Sequence, residues 1–509
     1  MGDFKFLKYY VRQRCRKLSN GDEEEDRLSS LPDAILTDIL SRLSIHSAAA
    51  TSVLSRRWCR LWTGVFRLNI CFQKTSEFSK IIDHILHQVT SRKLCDFYLD
   101  LSDVLYVTPE SSAVESWLRD VCSRNVETLT FQAGYDDDTL TFRLPSCLVN
   151  SQYLVILRLC GAALELKLPE NENLSFQLPN LKEMCLGLLV NFPPWLGTLI
   201  SSCPLLEYLD LIFDLIYLPQ PGSVVKIIAP NLKSFSIRML YVTEQVVRHR
   251  VHIDAPKLEE ICLQDWTSIY SFLHNPTKIV KAQIILETDV TSFGEEEGGY
   301  GWLEDEEYYQ EMSKFLGGLC NVSNLVLMLK SRGNTLTYPN SVNLPVFSNL
   351  TYLGTNFIKF LLVSLHCFPN LERLKVRLHS DGRPIEQWNW CAPDSIPDCL
   401  VSKLKTIQIS GLQGVGDELI MLGYILCNAV VLKSLTVNVN MKDAAYARDE
   451  LAKAYAVWKE CQLCRSIFEF PRSSSDCEVV VSCRYVKASG NALQNERLTC
   501  EMYVGQGYV

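Results

Sequence analysis

Apolar positions along the chain follow two different periods. Between Arg27 and Phe66 they recur at helical spacing: Ile35, Leu36, Ile39, Leu40 and Leu43 fall three and four apart, which puts one apolar stripe on a helix. Pro32 suits the first turn of that helix, where its missing N–H would have no partner anyway. Asp33 adds a negative charge near the positive end. Ser47 is placed to cap a short second helix through Ala48–Ser52. Val53, Leu54, Trp58, Leu61 and Trp62 mark a third apolar face, with Arg56, Arg57 and Arg60 directed elsewhere. Three short helices in about 40 residues bury little surface of their own. So many leucines and two tryptophans on a small unit imply docking, either onto the rest of the chain or onto a partner.

Beyond residue 90 the period changes. A strand-like unit with apolar residues at i, i+3 and i+5 keeps returning. Its copies are Leu94-Phe97-Leu99, Val126-Leu129-Phe131, Leu154-Leu157-Leu159, Leu181-Met184-Leu186, Leu206-Leu209-Leu211, Leu232-Phe235-Ile237 and Leu258-Ile261-Leu263. A weaker copy, Ile279-Ala282-Ile284, precedes Val322-Leu325-Leu327, a partial Leu350-Leu353, Leu371-Leu374-Val376, Leu404-Ile407-Ile409 and Leu432-Leu435-Val437. Starts about 25–27 residues apart lie in the range of leucine-rich repeats, in which each unit buries its apolar face only by stacking on its neighbours. One strand per repeat with a helical or irregular return is expected. Pro179-Asn180-Leu181, Pro230-Asn231-Leu232, Pro256-Lys257-Leu258 and Pro369-Asn370-Leu371 are recurring lead-ins, with proline just before a strand, where no ladder donor is needed. Cys122, Cys203, Cys367 and Cys427 sit just upstream of a strand, and a small buried residue is expected there. The region resembles the irregular plant-type leucine-rich repeats.

From Ile396 the order reads strand, glycine turn, helix, strand, helix, strand. Gly411, Gly414 and Gly416 stand between a strand and a helix, as in a phosphate cradle. Asp417 and Glu418 argue against one, because they place negative charge where a phosphate would sit, and no Lys-Ser or Lys-Thr follows.

Composition narrows the picture further. Apolar residues are 47 % and charged residues 21 % of 509, values of a globular chain with a large core. The formal charge is −8, but ten acids and no Lys or Arg lie in 287–311 alone, so the remainder is close to neutral. A second charged segment opens the chain, with six cations in residues 5–17 followed by five acids, Asp22 to Asp26. It reads as a solvated arm, with nuclear import or an anionic surface as the sharper alternatives. No apolar run reaches the length of a membrane span, and no secretory signal opens the chain. The expected location is therefore cytoplasm and/or nucleus, with the 20 cysteines reduced and mostly buried. Cys461 and Cys464 form a CxxC with no second pair at zinc spacing, and His84 and His87 share a helix face without a third ligand. No catalytic residue, metal site or cofactor is assigned, and no nucleic-acid or membrane partner is expected.

The helical segment carries a specific resemblance. Leu31-Pro32-Asp33, Ile39-Leu40-Ser41-Arg42-Leu43, Thr51-Ser52-Val53-Leu54-Ser55, Arg57-Trp58 and Leu61-Trp62 occur in order and without gaps, and this resembles the F-box of large plant families. Ser44 departs from the family's proline and is expected to loosen the turn. The resemblance implies docking on a Skp-family adaptor of a cullin–RING ubiquitin ligase, with Leu31, Pro32, Ile35, Leu36, Ile39, Leu40, Val53, Leu54, Trp58 and Leu61 supplying the interface or its support. The C-terminal segment resembles the FBD domain through Pro397-Asp398-Cys399-Leu400, the Leu404–Ile409 strand, the glycine turn, the helix running into Leu432-Lys433, Phe470-Pro471-Arg472 and Cys477-Glu478-Val479.

The expected class is α/β: an N-terminal three-helix F-box, an irregular leucine-rich-repeat solenoid and a C-terminal α/β FBD-like module. The expected boundaries are an arm at 1–26, the F-box at 27–66, repeats at 90–390 with an acidic insertion at 287–311, the FBD-like domain at 391–485 and a tail at 486–509. The resemblance implies a non-catalytic substrate receptor of an SCF-type ligase that holds a protein substrate on its repeats. A non-ligase repeat scaffold, whose F-box-like helices only cap the array, is the alternative.

Overall fold

The computed structural model describes residues 28–502 apart from 29, 72–76, 105–108, 134–139, 162–163, 169–174, 189–191, 214–222, 240–248, 266–267, 288–305, 331–343, 357–363, 379–391, 415, 441–449 and 492–498. The basic arm at 1–26 and the centre of the acidic insertion lie outside the described residues. The chain divides into two compact units, one made of residues 1–220 with 227–232 and 237–243, the other of 244–509 with 221–226 and 233–236.

The first unit begins with three short helices, α1 (Asp33–Leu40), α2 (Ile45–Ala50) and α3 (Trp58–Leu61), with tight turns of helix at Thr51–Val53 and Trp62–Gly64. There follow β1 (Arg67–Cys71), α4 (Phe78–Gln88), β2 (Asp96–Asp100), α5 (Ser111–Ser123), β3 (Thr128–Gln132), β4 (Leu140–Arg143) and α6 (Ser146–Val149). The unit goes on through β5 (Ile156–Cys160), β6 (Leu164–Lys167), β7 (Glu183–Leu188), α7 (Leu196–Ser201) and β8 (Tyr208–Phe213). Strands β1, β2, β3, β5, β7 and β8 pair in parallel, each with the next. The i+3 position of the repeat stays in register throughout, as Leu68↔Phe97↔Leu129↔Leu157↔Met184↔Leu209. Several returns carry a second short strand where a helical or irregular return was expected: β4 and β6 pair in parallel through Leu140↔Leu164 and Phe142↔Leu166.

The division between units falls within β9 (Val224–Ile228) and β10 (Ser234–Met239). The second unit continues with β11 (Arg250–Asp254), β12 (Glu260–Gln264), β13 (Ile269–Phe272), β14 (Lys281–Glu287), α8 (Glu306–Gly317), β15 (Asn324–Lys330), β16 (Tyr352–Thr355) and β17 (Arg373–Arg377). It closes with α9 (Asp398–Ser402), β18 (Thr406–Leu412), α10 (Gly416–Asn428), β19 (Ser434–Val439), α11 (Glu450–Glu469), β20 (Glu478–Ser482), β21 (Val486–Asn491) and β22 (Thr499–Met502). Here the same position stacks through eight parallel strands, Ile261↔Ala282↔Leu325↔Leu353↔Leu374↔Ile407↔Leu435↔Val479.

Every residue of the recurring pattern from Leu94 to Val437 is buried. Period-2 alternation along each strand sends these side chains to the core face and leaves the other face open. The lead-ins gain a second purpose. The amides of Asn180, Asn231 and Asn370 donate to the carbonyls of Gln152 (2.7 Å), Pro204 (2.7 Å) and Ser348 (2.8 Å), each one repeat earlier. Asparagine thus ties neighbouring turns together at the site where proline keeps the chain out of the ladder.

Four expectations change. The repeat begins one copy earlier, at Val65-Leu68-Ile70, all buried; its first residue falls inside the span assigned to the helical module, which hid it. There is no break at residue 391 in the sheet, because β17 pairs directly with β18 and the parallel ladder runs on to β20. The segment at 486–509 is not simply a tail: β21 and β22 fold back antiparallel on β20. Arg472 holds β21 by donating to Gly490 O at 3.1 Å, and Val486 and Ala488 are buried. The two ends of the acidic stretch belong to β14 and α8, and α8 packs Phe315 and Leu316 into the core.

The cysteines are less buried than expected. Of those described, Cys203, Cys399, Cys464 and Cys477 are buried, Cys59, Cys71, Cys147 and Cys427 are exposed, and the rest lie between. Cys203 fits the expected turn, with its thiol against Leu199 O at 3.2 Å. Cys427 does not, because it stands on the outer side of α10.

Candidate interaction surfaces

The N-terminal module is held by a small core and two polar clamps. Leu36, Leu40, Ile45, Ala48, Trp58 and Leu61 are buried. Pro32 supplies the carbonyl that accepts from Ile35 and Leu36, and so starts α1. Arg57 reaches back to that start, with Nε donating to Asp33 Oδ1 at 2.7 Å and Nη2 to Leu31 O. The capping expectation moves by three residues: Ser44, not Ser47, caps α2, accepting from Ser47 N at 3.3 Å. The departure from proline at position 44 therefore does not loosen the turn; the serine satisfies a helix N-terminal donor there.

The ten candidate residues separate into three groups. Leu36, Leu40, Trp58 and Leu61 are interior and form the support. Pro32, Ile35, Ile39 and Leu54 are exposed, Ile35 at 47 % and Leu54 at 55 %, while Leu31 and Val53 are half-buried. Ile35 and Ile39 are one turn apart on α1, so they share a face. Leu43, at 39 % exposure, belongs to the same stripe in sequence and was absent from the candidate set. This module leaves several large aliphatic groups in water while its own core is complete.

The module is also joined to the array. Buried Ser41 donates to Thr37 O at 2.8 Å and accepts from Phe66 N at 3.2 Å, which links α1 to the chain entering β1. Thr90 N, beyond α4, donates to Thr63 O at 2.8 Å.

On the array's open face in the first unit, charges are paired across strands. Arg158 on β5 meets Glu183 on β7 at 2.6 Å, and Arg238 meets Asp210. In the second unit, Lys281 meets Glu260 at 2.6 Å. Open-face charge on β17 is arranged differently: Arg373, Lys375 and Arg377 alternate with buried Leu374 and Val376. Arg373 lies over the Tyr352 ring, 5.5 Å from its centroid.

The glycine turn before α10 resolves against phosphate. Glu418 is fully buried, and its Oε2 accepts from Gln413 N at 2.9 Å and Gly414 N at 2.7 Å. Gly414, at φ +82°, supplies the left-handed backbone that aims its N–H inward. An internal carboxylate therefore occupies the backbone donors an anion would need. Glu460 on α11 does the same at the β20–β21 turn, accepting from Tyr485 N and Val486 N at 2.9 and 3.1 Å, while burial raises its pKa. Cys464 of the CxxC finds a partner sequence spacing did not reveal, Cys483, at 3.9 Å between sulfurs. His84 and His87 are exposed on α4. Among the described residues no cluster of three metal-ligating side chains occurs, and no helix is long and apolar enough to cross a membrane.

Comparison with known proteins matches this architecture segment by segment. The profile described as F-box domain matches residues 28–68, the one described as FBD-associated F-box protein At5g56370, LRR repeats matches 114–286, and the FBD profile matches 392–437. The chain is similar along nearly its whole length to proteins of Arabidopsis thaliana. It is 29 % identical over 477 residues to F-box/LRR-repeat protein 13, covering 91 % of this chain and 98 % of that one. It is 27 % identical over 474 residues to F-box/FBD/LRR-repeat protein At5g22660, covering 90 % and 96 %. It is 28 % identical over 487 residues to F-box/FBD/LRR-repeat protein At1g78750, covering 92 % and 98 %. An N-terminal helical F-box, a parallel-strand repeat array and a closing FBD segment define an F-box/LRR-type protein. The chain carries the F-box, LRR and FBD domains of the plant F-box/FBD/LRR-repeat proteins and is similar to them along about nine-tenths of its length.

Proposed function

We propose that this chain is the substrate-recognition subunit of an SCF-type cullin–RING ubiquitin ligase, acting in the cytoplasm and/or nucleus. Its F-box docks on a Skp-family adaptor, and its repeats hold a protein substrate. The chain itself is non-catalytic: it raises the local concentration of substrate beside subunits that carry the chemistry. The observation that carries this reading is the exposure of Ile35, Ile39 and Leu54 on a module that buries Leu36, Leu40, Trp58 and Leu61. Leaving such groups in water has no stabilising use, but a partner helix face would bury them.

The test is a pull-down of purified adaptor by the full chain carrying Ile35→Asp, Ile39→Asp and Leu54→Asp. The expected result is at least a tenfold loss of adaptor binding with an unchanged melting temperature. Retained binding would refute the assignment. Substituting Leu36 or Trp58 would be a poorer test, since either change empties the module's core.

One observation favours the scaffold alternative. Ser41 and Thr63 tie the module to the chain around β1, as a cap would be tied. Adaptor binding that brings no cullin and supports no ubiquitin transfer would select that reading.

A further inference from the structure

We propose that the open face of β17 is a binding site for an extended, acidic segment of a partner protein, with Arg373, Lys375 and Arg377 as its anion-recognition stripe. The proposal takes from the receptor reading only that the array's open face meets a protein. The three cations occupy alternate positions of one strand, so they stand about 7 Å apart in a row. An extended peptide running along the strand repeats its same-side residues at that interval. Acids at its i, i+2 and i+4 positions would therefore meet the three cations together.

Among the described residues, the neighbouring strands supply no internal counter-charge on this face. From β15 to β19 no open-face position with a described side chain holds Asp or Glu. In register, Arg373, Lys375 and Arg377 lie beside Thr406, Gln408 and Ser410 of β18, which are neutral groups able to donate or accept. On the other side Lys375 faces Gly354, beside which the Val326 and Tyr352 side chains pack, and Arg373 faces Tyr352. Among the described residues neither the Lys375 nor the Arg377 side chain has an ionic or hydrogen-bonding partner. The nearest acid in sequence, Glu372, is held by Lys405 at 2.9 Å, and that contact keeps its carboxyl below the ordinary range. The cations of the first unit's open face are used differently: Arg158 and Arg238 are each paired with a carboxylate across the sheet. Three like charges in a row on β17 repel one another until an anion arrives, which is the arrangement of a recognition surface rather than of a structural ladder. A nucleic acid is the poorer fit, because three cations on a chain of formal charge −8 neutralise few phosphates.

The test uses the full chain and labelled peptides of about twelve residues, long enough to run the length of the strand. One alternates Glu and Ser, one alternates Gln and Ser, and one has the composition of the first with all Glu in a single block. The expected result is binding of the alternating acidic peptide at least tenfold tighter than either control. It should weaken as salt rises from about 0.05 to about 0.5 M, and be lost in Arg373→Glu/Lys375→Glu/Arg377→Glu with melting temperature unchanged. Equal binding by that variant, or by the neutral peptide, would overturn the site. Equal binding of the blocked isomer would overturn the strand-aligned geometry, and tighter binding of a single-stranded RNA of like charge would overturn the protein-segment assignment. Adaptor pull-down is run beside peptide binding on the native chain. Absent adaptor docking with peptide binding intact removes the ligase reading alone, and the reverse removes this site alone.

Discussion

Adjacent residues are treated differently in the two parts of the first unit. On β8, Leu209 is 2 % exposed and its neighbour Tyr208 is 49 % exposed; on α1, Leu36 is fully buried and Ile35 is 47 % exposed. In the array the sorting follows the pleat, and the open face is mostly polar or charged, with its charges paired across strands. In the F-box the sorting follows the helix, and the outward residue is a large aliphatic one. Both parts fold by burying one face. The F-box leaves large aliphatic groups, Ile35, Ile39, Leu43 and Leu54, on its second face. The array's stability is distributed over many equivalent positions, whereas the F-box concentrates its own in a few residues.

The largest expected effect breaks that equivalence. Leu209→Ala should cost about 2–5 kcal/mol, because a fully packed interior cannot close around the lost methyl groups. Tyr208→Ala should change stability by less than about 0.5 kcal/mol. Urea unfolding of the full chain measures both. The corresponding pair in α1 should differ in kind: Leu36→Ala lowers stability, while Ile35→Ala leaves it unchanged and weakens adaptor binding. Equal stability losses for Ile35→Ala and Leu36→Ala would mean that the two faces of α1 are not distinct.

Much of this sorting was legible beforehand in the array and little of it in the F-box. The i, i+3, i+5 pattern placed every repeat residue correctly from Leu94 to Val437, because a leucine-rich turn and strand have a single buried solution. The stripe Ile35, Leu36, Ile39, Leu40 and Leu43 is wide enough to cover more than one face of a helix, and periodicity cannot say which part is covered from within. The first repeat stayed hidden because Val65 falls in a motif that already had an assignment. β21 stayed hidden because its sequence, VKASGN, is too polar to read as a strand. Recognition of the turn closed by Glu418 needed the backbone, since only the left-handed conformation of Gly414 brings two N–H groups onto one carboxylate. The stripe on β17 was written in the sequence as RLKVR, but its significance depends on what its neighbours in the sheet do not carry.

A smaller effect sharpens the account of how repeats are joined. Asn231→Ala removes the amide that donates to Pro204 O, one repeat earlier. The bond runs between side chain and main chain at an exposed site, so its loss should cost about 1 kcal/mol. Asn231→Asp should cost at least as much, because a carboxylate offers the carbonyl no donor. Denaturant midpoints for the two variants test this. Recovery of full stability by Asp would show that the residue acts through its own turn and not through the neighbouring repeat.

The smallest expected effect concerns pH and a residue of the second unit. His249 is buried, with Ser223 Oγ 2.9 Å from its Nδ1, and desolvation lowers its pKa below the ordinary value of 6.5, opposed by the nearby Asp265 carboxylate. The folded chain therefore holds the ring neutral at a pH where the unfolded chain has begun to protonate it. More protons bound in the unfolded state means that stability rises with pH through this window. His249 should leave stability unaffected above about pH 7 and reduce it as pH falls below 6.5, by no more than about 1.4 kcal/mol for each pH unit. Urea midpoints at about pH 7.5 and 5.5, for the native chain and for His249→Gln, isolate this contribution from that of the carboxylates. The native chain should lose more on acidification than the glutamine variant does. Equal losses would mean that the ring takes up its proton as readily inside the fold as outside it, and that burial at His249 carries no electrostatic cost.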